Sequence, residues 1–303
     1  MKKHIFFLLG ILLIIVSLVS LQSLVKAQLS GQSLEVSPPS QELQVDPGQT
    51  KTVKAKLTNK SNDTLPIAAH IEDFSASGEE GQVELSTGGT WSVVSWTKIT
   101  PSKFTLGPGE SKEVTATISV PKDAAGGRYG SFVFGVESNL DTTQSAAALS
   151  QQIASLFLLR ISGPVNEKLS LEQLSAPKFS EFGPIPFLLR FKNEGNVYTK
   201  TYGLINVSDM FGRKVTDVVV TGTNVFPNST RNIYAKLNKK FLIGKYTATA
   251  VMYYGTSQPD TLTSTVDFYV FPLRIFIPFV VILFICFAAR KRLGKALKAL
   301  AGK

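Results

Sequence analysis

The chain has 303 residues, 44% of them hydrophobic, a formal net charge of +10 and one cysteine, and this length accommodates about two ordinary domains. Three of the 32 basic residues precede Gln28 and seven follow Pro272, so the segment between is neutral, with 22 bases against all 22 acids. Nucleic-acid binding needs clustered Lys and Arg and is excluded, and the lone Cys286 leaves the segment before it without disulfide, thiol nucleophile or thiolate metal site.

In chain order, "MKKHIFFLLGILLIIVSLVSLQSLVKA" opens with two lysines and carries an apolar run from Ile5 to Val19 and a small-residue pattern at Val25-Lys26-Ala27. This predicts a secretory signal peptide over residues 1–27, cut between Ala27 and Gln28. An uncleaved signal anchor is the competing reading, because the run is long. No cysteine follows the run, which argues against a lipid anchor.

From Leu34 to Val270 the pattern is strand, turn, strand. Runs such as "TVKAKLTN", "PIAAHIEDF", "WSVVSWTKI", "KEVTATISV" and "RYGSFVFGV" alternate apolar and polar side chains between Pro, Gly and Asn turns, as antiparallel sandwiches do. Two similar stretches, "PGQTKTVKAKL" from Pro47 and "PGESKEVTATI" from Pro108, read as two strands of one sandwich, its second and about its fifth. Their counterparts lie further along. Asn59 and Asn62 match Asn193 and Asn196 in spacing, Pro108 matches Pro227, and Gly127-Arg128-Tyr129 matches Gly244-Lys245-Tyr246. The expectation is two related β-sandwiches, residues 28–164 and 165–272.

The first copy has 49 positions from Asn59 to Pro108 where the second has 34 from Asn193 to Pro227. The surplus surrounds "SASGEEGQVELSTGGTWSVVSW", which makes Glu79, Glu80, Trp91 and Trp96 candidate ligand-binding residues on a loop grafted to a rigid scaffold. Core placement is the default expectation for each tryptophan; stacking on sugar is the alternative, because five residues apart on one strand they would face opposite ways and leave one exposed. A second polar surplus runs from Glu137 to Gln152.

Catalytic constellations are sparse. His70 reads as a solvent-facing strand residue, and Glu72-Asp73 and Glu79-Glu80 as solvated pairs rather than a glycosidase or calcium site. No cofactor or metal is expected, and "STGGT" and "AAGGRYG" lack the ending of a phosphate loop.

At the C-terminus the apolar stretch predicts a transmembrane helix over 273–289, with Arg274 snorkelling and Phe268, Tyr269 and Phe271 as an aromatic belt. Arg290, Lys291 and Arg292 then hold a basic tail, 290–303, in the cytoplasm by the positive-inside rule.

With "LEVSPPSQELQVDPGQTKTVKAKLTNKSN", "LGPGESKEVTATISVPKDAAGGRYGSFVFG" and "FKNEGNVYTKTYGLINVSDMFGRKV", the chain resembles bacterial cell-surface proteins of the WxL-interacting type. The resemblance implies an all-β fold of two tandem immunoglobulin-like β-sandwiches plus one C-terminal transmembrane helix. It also implies a first domain associated with peptidoglycan, a second with a host or partner protein, and no catalytic residues. The expected function is therefore non-enzymatic: a single-pass cell-membrane protein, ectodomain outside, that binds cell-wall polymer or a partner surface protein. The alternative is a membrane-tethered assembly chaperone of the pilus type that acts by strand donation. The sequence leaves the oligomeric state open.

Overall fold

The structure, a computed structural model, describes residues 33–137, 152–256 and 259–300. The signal segment with its Ala27–Gln28 junction, and most of the loop between Glu137 and Gln152, lie outside the described residues.

The first ten strands are β1 (Leu34–Ser37), β2 (Ser40–Val45), β3 (Thr50–Asn59), β4 (Leu65–Ser77), β5 (Gln82–Ser86), β6 (Thr97–Thr100), β7 (Lys103–Leu106), β8 (Ser111–Ser119), β9 (Gly126–Val136) and β10 (Gln152–Ile161). One sheet has the order β1-β3-β8-β6 and its partner β2-β10-β9-β4-β5, with β7 beside the start of β4. The next eight are β11 (Leu169–Ser175), β12 (Phe179–Ser180), β13 (Ile185–Asn193), β14 (Thr199–Asp209), β15 (Lys214–Val225), β16 (Ser229–Leu237), β17 (Gly244–Tyr254) and β18 (Asp260–Val270). They form sheets β11-β13-β16 and β12-β18-β17-β14-β15. The fold is all-β, two tandem immunoglobulin-like sandwiches, followed by one apolar helix, α1 (Leu273–Leu300).

Alternation builds each core, because side chains on a strand point to opposite faces in turn. Val53, Ala55 and Leu57 of β3, Val114, Ala116 and Ile118 of β8, and Phe132 and Phe134 of β9 fill the first core. Phe187, Leu189 and Phe191 of β13, Ala248, Ala250 and Met252 of β17, and Phe268 of β18 fill the second. Each buried Leu, Ile or Phe contributes about 1.5–3 kcal/mol.

The two look-alike stretches of the first sandwich turn out to be the third and eighth strands, and they pair with each other, Val53 opposite Ala116 and Ala55 opposite Val114. In the second sandwich the equivalent pair is β13 and β16, which places Asn193 opposite Ser229. The equivalence extends to single atoms. Asn59 is buried, and its Nδ2 donates to the carbonyls of Asp63 (2.7 Å) and Leu106 (3.1 Å), while its Oδ1 accepts the Ser61 N–H (2.9 Å). Asn193, also buried, donates to Val197 (2.9 Å) and Val225 (2.8 Å) and accepts the Gly195 N–H (2.8 Å). One amide thus closes its own turn and ties it to the strand or loop that precedes the Pro-Gly or Pro-Asn corner. At that corner Gly109 has φ of 72°, and Asn228, the residue in its place, has φ of 54°, the left-handed region that asparagine tolerates.

Not every correspondence read from the sequence survives. The last two strands of each sandwich pair Gly126 with Ile161 and Gly244 with Val270, so Gly244 corresponds to Gly126 and not to Gly127. A slip of one residue exchanges the faces of a strand. Tyr246 therefore packs in its own core, whereas Tyr129 points out of its own.

Other corrections are local. "WSVVSW" is a loop and a 3-10 turn over Val94–Trp96, not a strand, because the buried Asp73 accepts the N–H groups of Val93 (2.9 Å) and Gly88 (3.2 Å) and pulls the segment across the sheet end. The sheets are not wholly antiparallel: β2 runs parallel to β10 and β12 parallel to β18. In each sandwich the first strand leaves one sheet at proline, Pro38-Pro39 or Pro177, and re-enters in the other, since proline has no N–H to continue the ladder. Phe268 belongs to the core rather than to an aromatic belt, and α1 continues unbroken past Arg290, Lys291 and Arg292 to Leu300.

Replacing Asn193 with Ala is expected to lower the stability of the second sandwich by about 2 kcal/mol or more, because two carbonyls and an N–H lose their partner inside the protein. Asn228→Ala should cost about 1 kcal/mol and Asn228→Gly a few tenths at most. Denaturant unfolding of the three variants beside the parent measures all of these.

Candidate functional site

Strand β9 is buried on both faces from Tyr129 to Val136. Its inner face feeds the first core. Its outer face carries Tyr129, which joins Phe74 of β4 and Leu158 of β10 in a separate apolar cluster with Val197, Tyr198 and Phe226 of the second sandwich. The Phe226 ring stands edge-on to Tyr129 at 5.1 Å and to Phe74 at 5.5 Å. The Tyr129 hydroxyl accepts the backbone N–H of Tyr198 (2.8 Å), and the Gly127 N–H donates to the Asn196 carbonyl (2.9 Å). Only glycine fits at 126: φ is 78°, and a Cβ there would lie 2.8 Å from the Asn196 carbonyl oxygen. Burial raises the pKa of Tyr129 and pushes that of Tyr198 up to about 12, so both stay neutral.

A second contact comes from the β4–β5 hairpin, whose tip holds Glu79 and Glu80. The Glu79 carboxylate takes two bonds from the Arg190 guanidinium, Nη2 at 2.6 Å and Nε at 3.0 Å, and its backbone carbonyl accepts the Asn232 N–H at 2.7 Å. Glu80 accepts from Asn232 Nδ2 and the Tyr234 hydroxyl, both at 2.9 Å. The tip therefore caps β16, an edge strand of its sheet. The Arg190 guanidinium holds the Glu79 carboxyl below its ordinary value, with the Asn232 side chain adding to the effect and burial opposing it.

The structure thus places Trp91 in the first of these contacts and Glu79 and Glu80 in the second, as parts of a joint rather than a free binding loop. Trp91 is half-buried beside Tyr129, ring centroids 6.5 Å apart, and its carbonyl accepts the Tyr129 N–H. Trp96 packs on the first core under Arg128, whose guanidinium lies 5.0 Å from its ring. Both tryptophans pack against buried clusters, the default expectation for them, and neither stands as a free face for stacking on sugar. His70 is exposed, as expected, and its Nε2 pairs with Glu72 at 2.8 Å.

Beside the joint lies a cleft of about 380 Å³, lined by Glu42, Gln44 and Arg160 from the first sandwich and Glu167, Lys200, Tyr202 and Thr256 beyond it. Arg160 pairs with Glu167 at 2.5 Å and donates to the Thr256 hydroxyl at 2.8 Å. Lys200 lies 3.7 Å from Glu42, which also accepts from Asn224 Nδ2 at 2.7 Å. Tyr202 lines the cleft, and its exposed ring sits 5.9 Å from that of Tyr253, tilted by 30°. Sequence reasoning missed this site because its residues come from β2, β10 and β14 and from the segments before β11 and after β17, with no shared motif. Only the paired "TYG" and "YYG" segments at 201–203 and 253–255 hinted at it.

No family model matches the chain, and no curated protein matches it. Among solved structures it is similar to the class 5 fimbriae chaperone CfaA, at 15% identity over 78% of this chain and 99% of that one, with a TM-score of 0.40. It is also similar to the YadV chaperone (12%, 77% and 98%, TM-score 0.36) and the E. coli chaperone DraB (13%, 78% and 95%, TM-score 0.33). At these scores the likeness transfers no function.

Helix α1 contains a window, Leu273–Arg290, with mean hydropathy of 2.3, long and apolar enough to cross a membrane. Arg274 does not stand alone there: its Nε lies 3.2 Å from the Glu181 carboxylate, and Phe271 packs edge-on against Phe276 at 4.9 Å.

Because the folded state depresses the Glu79 pKa, the stability from the Glu79–Arg190 pair is complete above the ordinary carboxylate value of 4.5 and lost as pH falls through the lower, folded one. The stability difference between the parent and Glu79→Gln should therefore be present at neutral pH and shrink below pH 4.5, as unfolding curves across acid pH will show. Tyr129→Phe leaves the Tyr198 N–H without an acceptor and should weaken the coupling of the two sandwiches by about 1–3 kcal/mol. Calorimetry should show it as a separation of their unfolding transitions.

Proposed function

We propose that this chain is a non-enzymatic, single-pass protein of the cell membrane whose two joined sandwiches stand outside and bind cell-wall polymer, peptidoglycan, in the cleft between them. The observation that carries the reading is the Tyr202–Tyr253 pair. Two exposed rings, tilted 30° to one another, next to a groove of carboxylates, amides and hydroxyls suit a chain of sugar rings with apolar faces and polar edges. The cleft acids Glu42 and Glu167 are each held by a cation, which fits orientation of a ligand better than proton transfer. The resemblance to WxL-interacting-type proteins supports the same reading, as does the apolar window of α1 followed by Arg290, Lys291 and Arg292.

A second reading has an observation of its own. Strand β15 is 12 residues long and pairs, among the described residues, with β14 alone. Such an edge could take an added strand from a partner surface protein or, in the chaperone alternative, from an assembling subunit.

The test is co-sedimentation of the protein with purified peptidoglycan. Tyr202→Ala combined with Tyr253→Ala should reduce binding about tenfold, the scale of a buried aromatic anchor. Undiminished binding would place the polymer elsewhere. Absence of binding by the parent, together with hydrogen-exchange protection of β15 by a co-purified protein, would replace the polymer reading with strand addition.

A further inference from the structure

The end of the second sandwich from which α1 departs carries apolar side chains that no core uses. The register fixes their company. Asp209 pairs with Tyr246, Tyr246 with Phe268, Phe179 with Tyr269, and Ile185 with Leu237, so the β14–β15 turn, the β16–β17 loop and the β12–β13 segment all surround the last residues of β18. On these loops Phe241 is 78% exposed, Phe211 74%, Ile243 66% and Met210 61%. They are held in place. Asp209 accepts the N–H groups of Phe211 (2.9 Å) and Arg213 (3.0 Å), which forms a rigid turn with Phe211 at its tip, and the Phe182 ring stands edge-on to Phe241 at 6.3 Å.

The same loops are basic. Arg213, Lys214 and Lys245 are matched by Asp209, Asp217 and Asp267. Lys178, just before β12, and Lys239 and Lys240 of the β16–β17 loop have no carboxylate partner among the described residues, and the Lys239 ammonium donates to the Val215 carbonyl at 2.9 Å. Two residues, Phe271 and Pro272, separate β18 from α1, and the helix is exposed from Leu273 to Ala288.

We infer that this end of the second sandwich is a lipid-contacting surface. Phe211, Met210, Phe241 and Ile243 enter the interface of the bilayer that α1 crosses, and Lys178, Lys239 and Lys240 meet its anionic headgroups. The chemistry is that of an interfacial anchor, apolar tips ringed by lysines. The occupant is settled by attachment: a chain that enters a bilayer two residues after β18 must bring the loops around β18 to the surface of that bilayer. The inference rests on the membrane-spanning reading of α1.

The test uses the full chain in nanodiscs of phosphatidylcholine and phosphatidylglycerol, with Phe241→Trp as a fluorescent probe against the background of Trp91 and Trp96. The emission added by the probe should be blue-shifted and should fall by about half when the lipids are brominated near the headgroup, since an interfacial side chain lies within about 5–10 Å of that depth. Lys239→Glu with Lys240→Glu should reduce the quenching. Added emission that is red and unquenched means solvent, and emission that is blue but unquenched means cover by protein, a second copy included; either overturns the inference. Failure of the chain to incorporate into nanodiscs would sink the membrane-spanning reading, whereas incorporation without quenching sinks this inference alone.

Discussion

The architecture depends on the hydroxyl of Tyr129. A strand of a two-layer sandwich normally keeps one face wet, and β9 does not. Its outer side chain needs both an apolar cover and an acceptor role for its oxygen, and Val197, Phe226 and the Tyr198 N–H of the second sandwich supply them. The Glu79–Arg190 fork and the Glu80 contacts make a second junction between the same two sandwiches. On the cleft side the two sandwiches meet through charged pairs instead of rings, Arg160 with Glu167 and Lys200 with Glu42, and these groups line the cleft.

Two sandwiches built to one plan become unlike at the level of single positions. Asn59 and Asn193 perform the same turn closure with the same atoms, and Gly109 and Asn228 turn the same corner. The strands that begin at Gly126 and Gly244 also start alike, but their tyrosines lie at opposite parity, one turned into its own core and the other out of it. A single-residue offset is enough to make an interface residue from what is elsewhere a core residue.

That offset also marks the limit of what could be read from the sequence. Alternation identified the strands, and the asparagine and proline spacings identified which turns correspond, because both signals are local. The Gly-Arg-Tyr and Gly-Lys-Tyr triplets misled because letters matched while faces did not; facing is set by pairing with β10 and β18, a long-range fact. Glu79 and Glu80 looked like a solvated turn because nothing nearby answers their charge: Arg190, Asn232 and Tyr234 lie more than a hundred residues on. The cleft was illegible for the same reason, since its walls come from three strands and several connecting segments of two sandwiches. The apolar helix was legible because it is one continuous stretch of chain.

The short link between β18 and α1 sets a height. There is no stalk: eleven residues of β18 run directly from the cleft end of the second sandwich to Phe271 and Pro272. At about 3.3 Å per residue, the strand spans roughly 35 Å. The groove beside Tyr202 is thus carried at a fixed elevation above the point where the helix begins. On the proposed membrane-spanning reading of α1, a polymer in the groove would be met about that far from the bilayer surface.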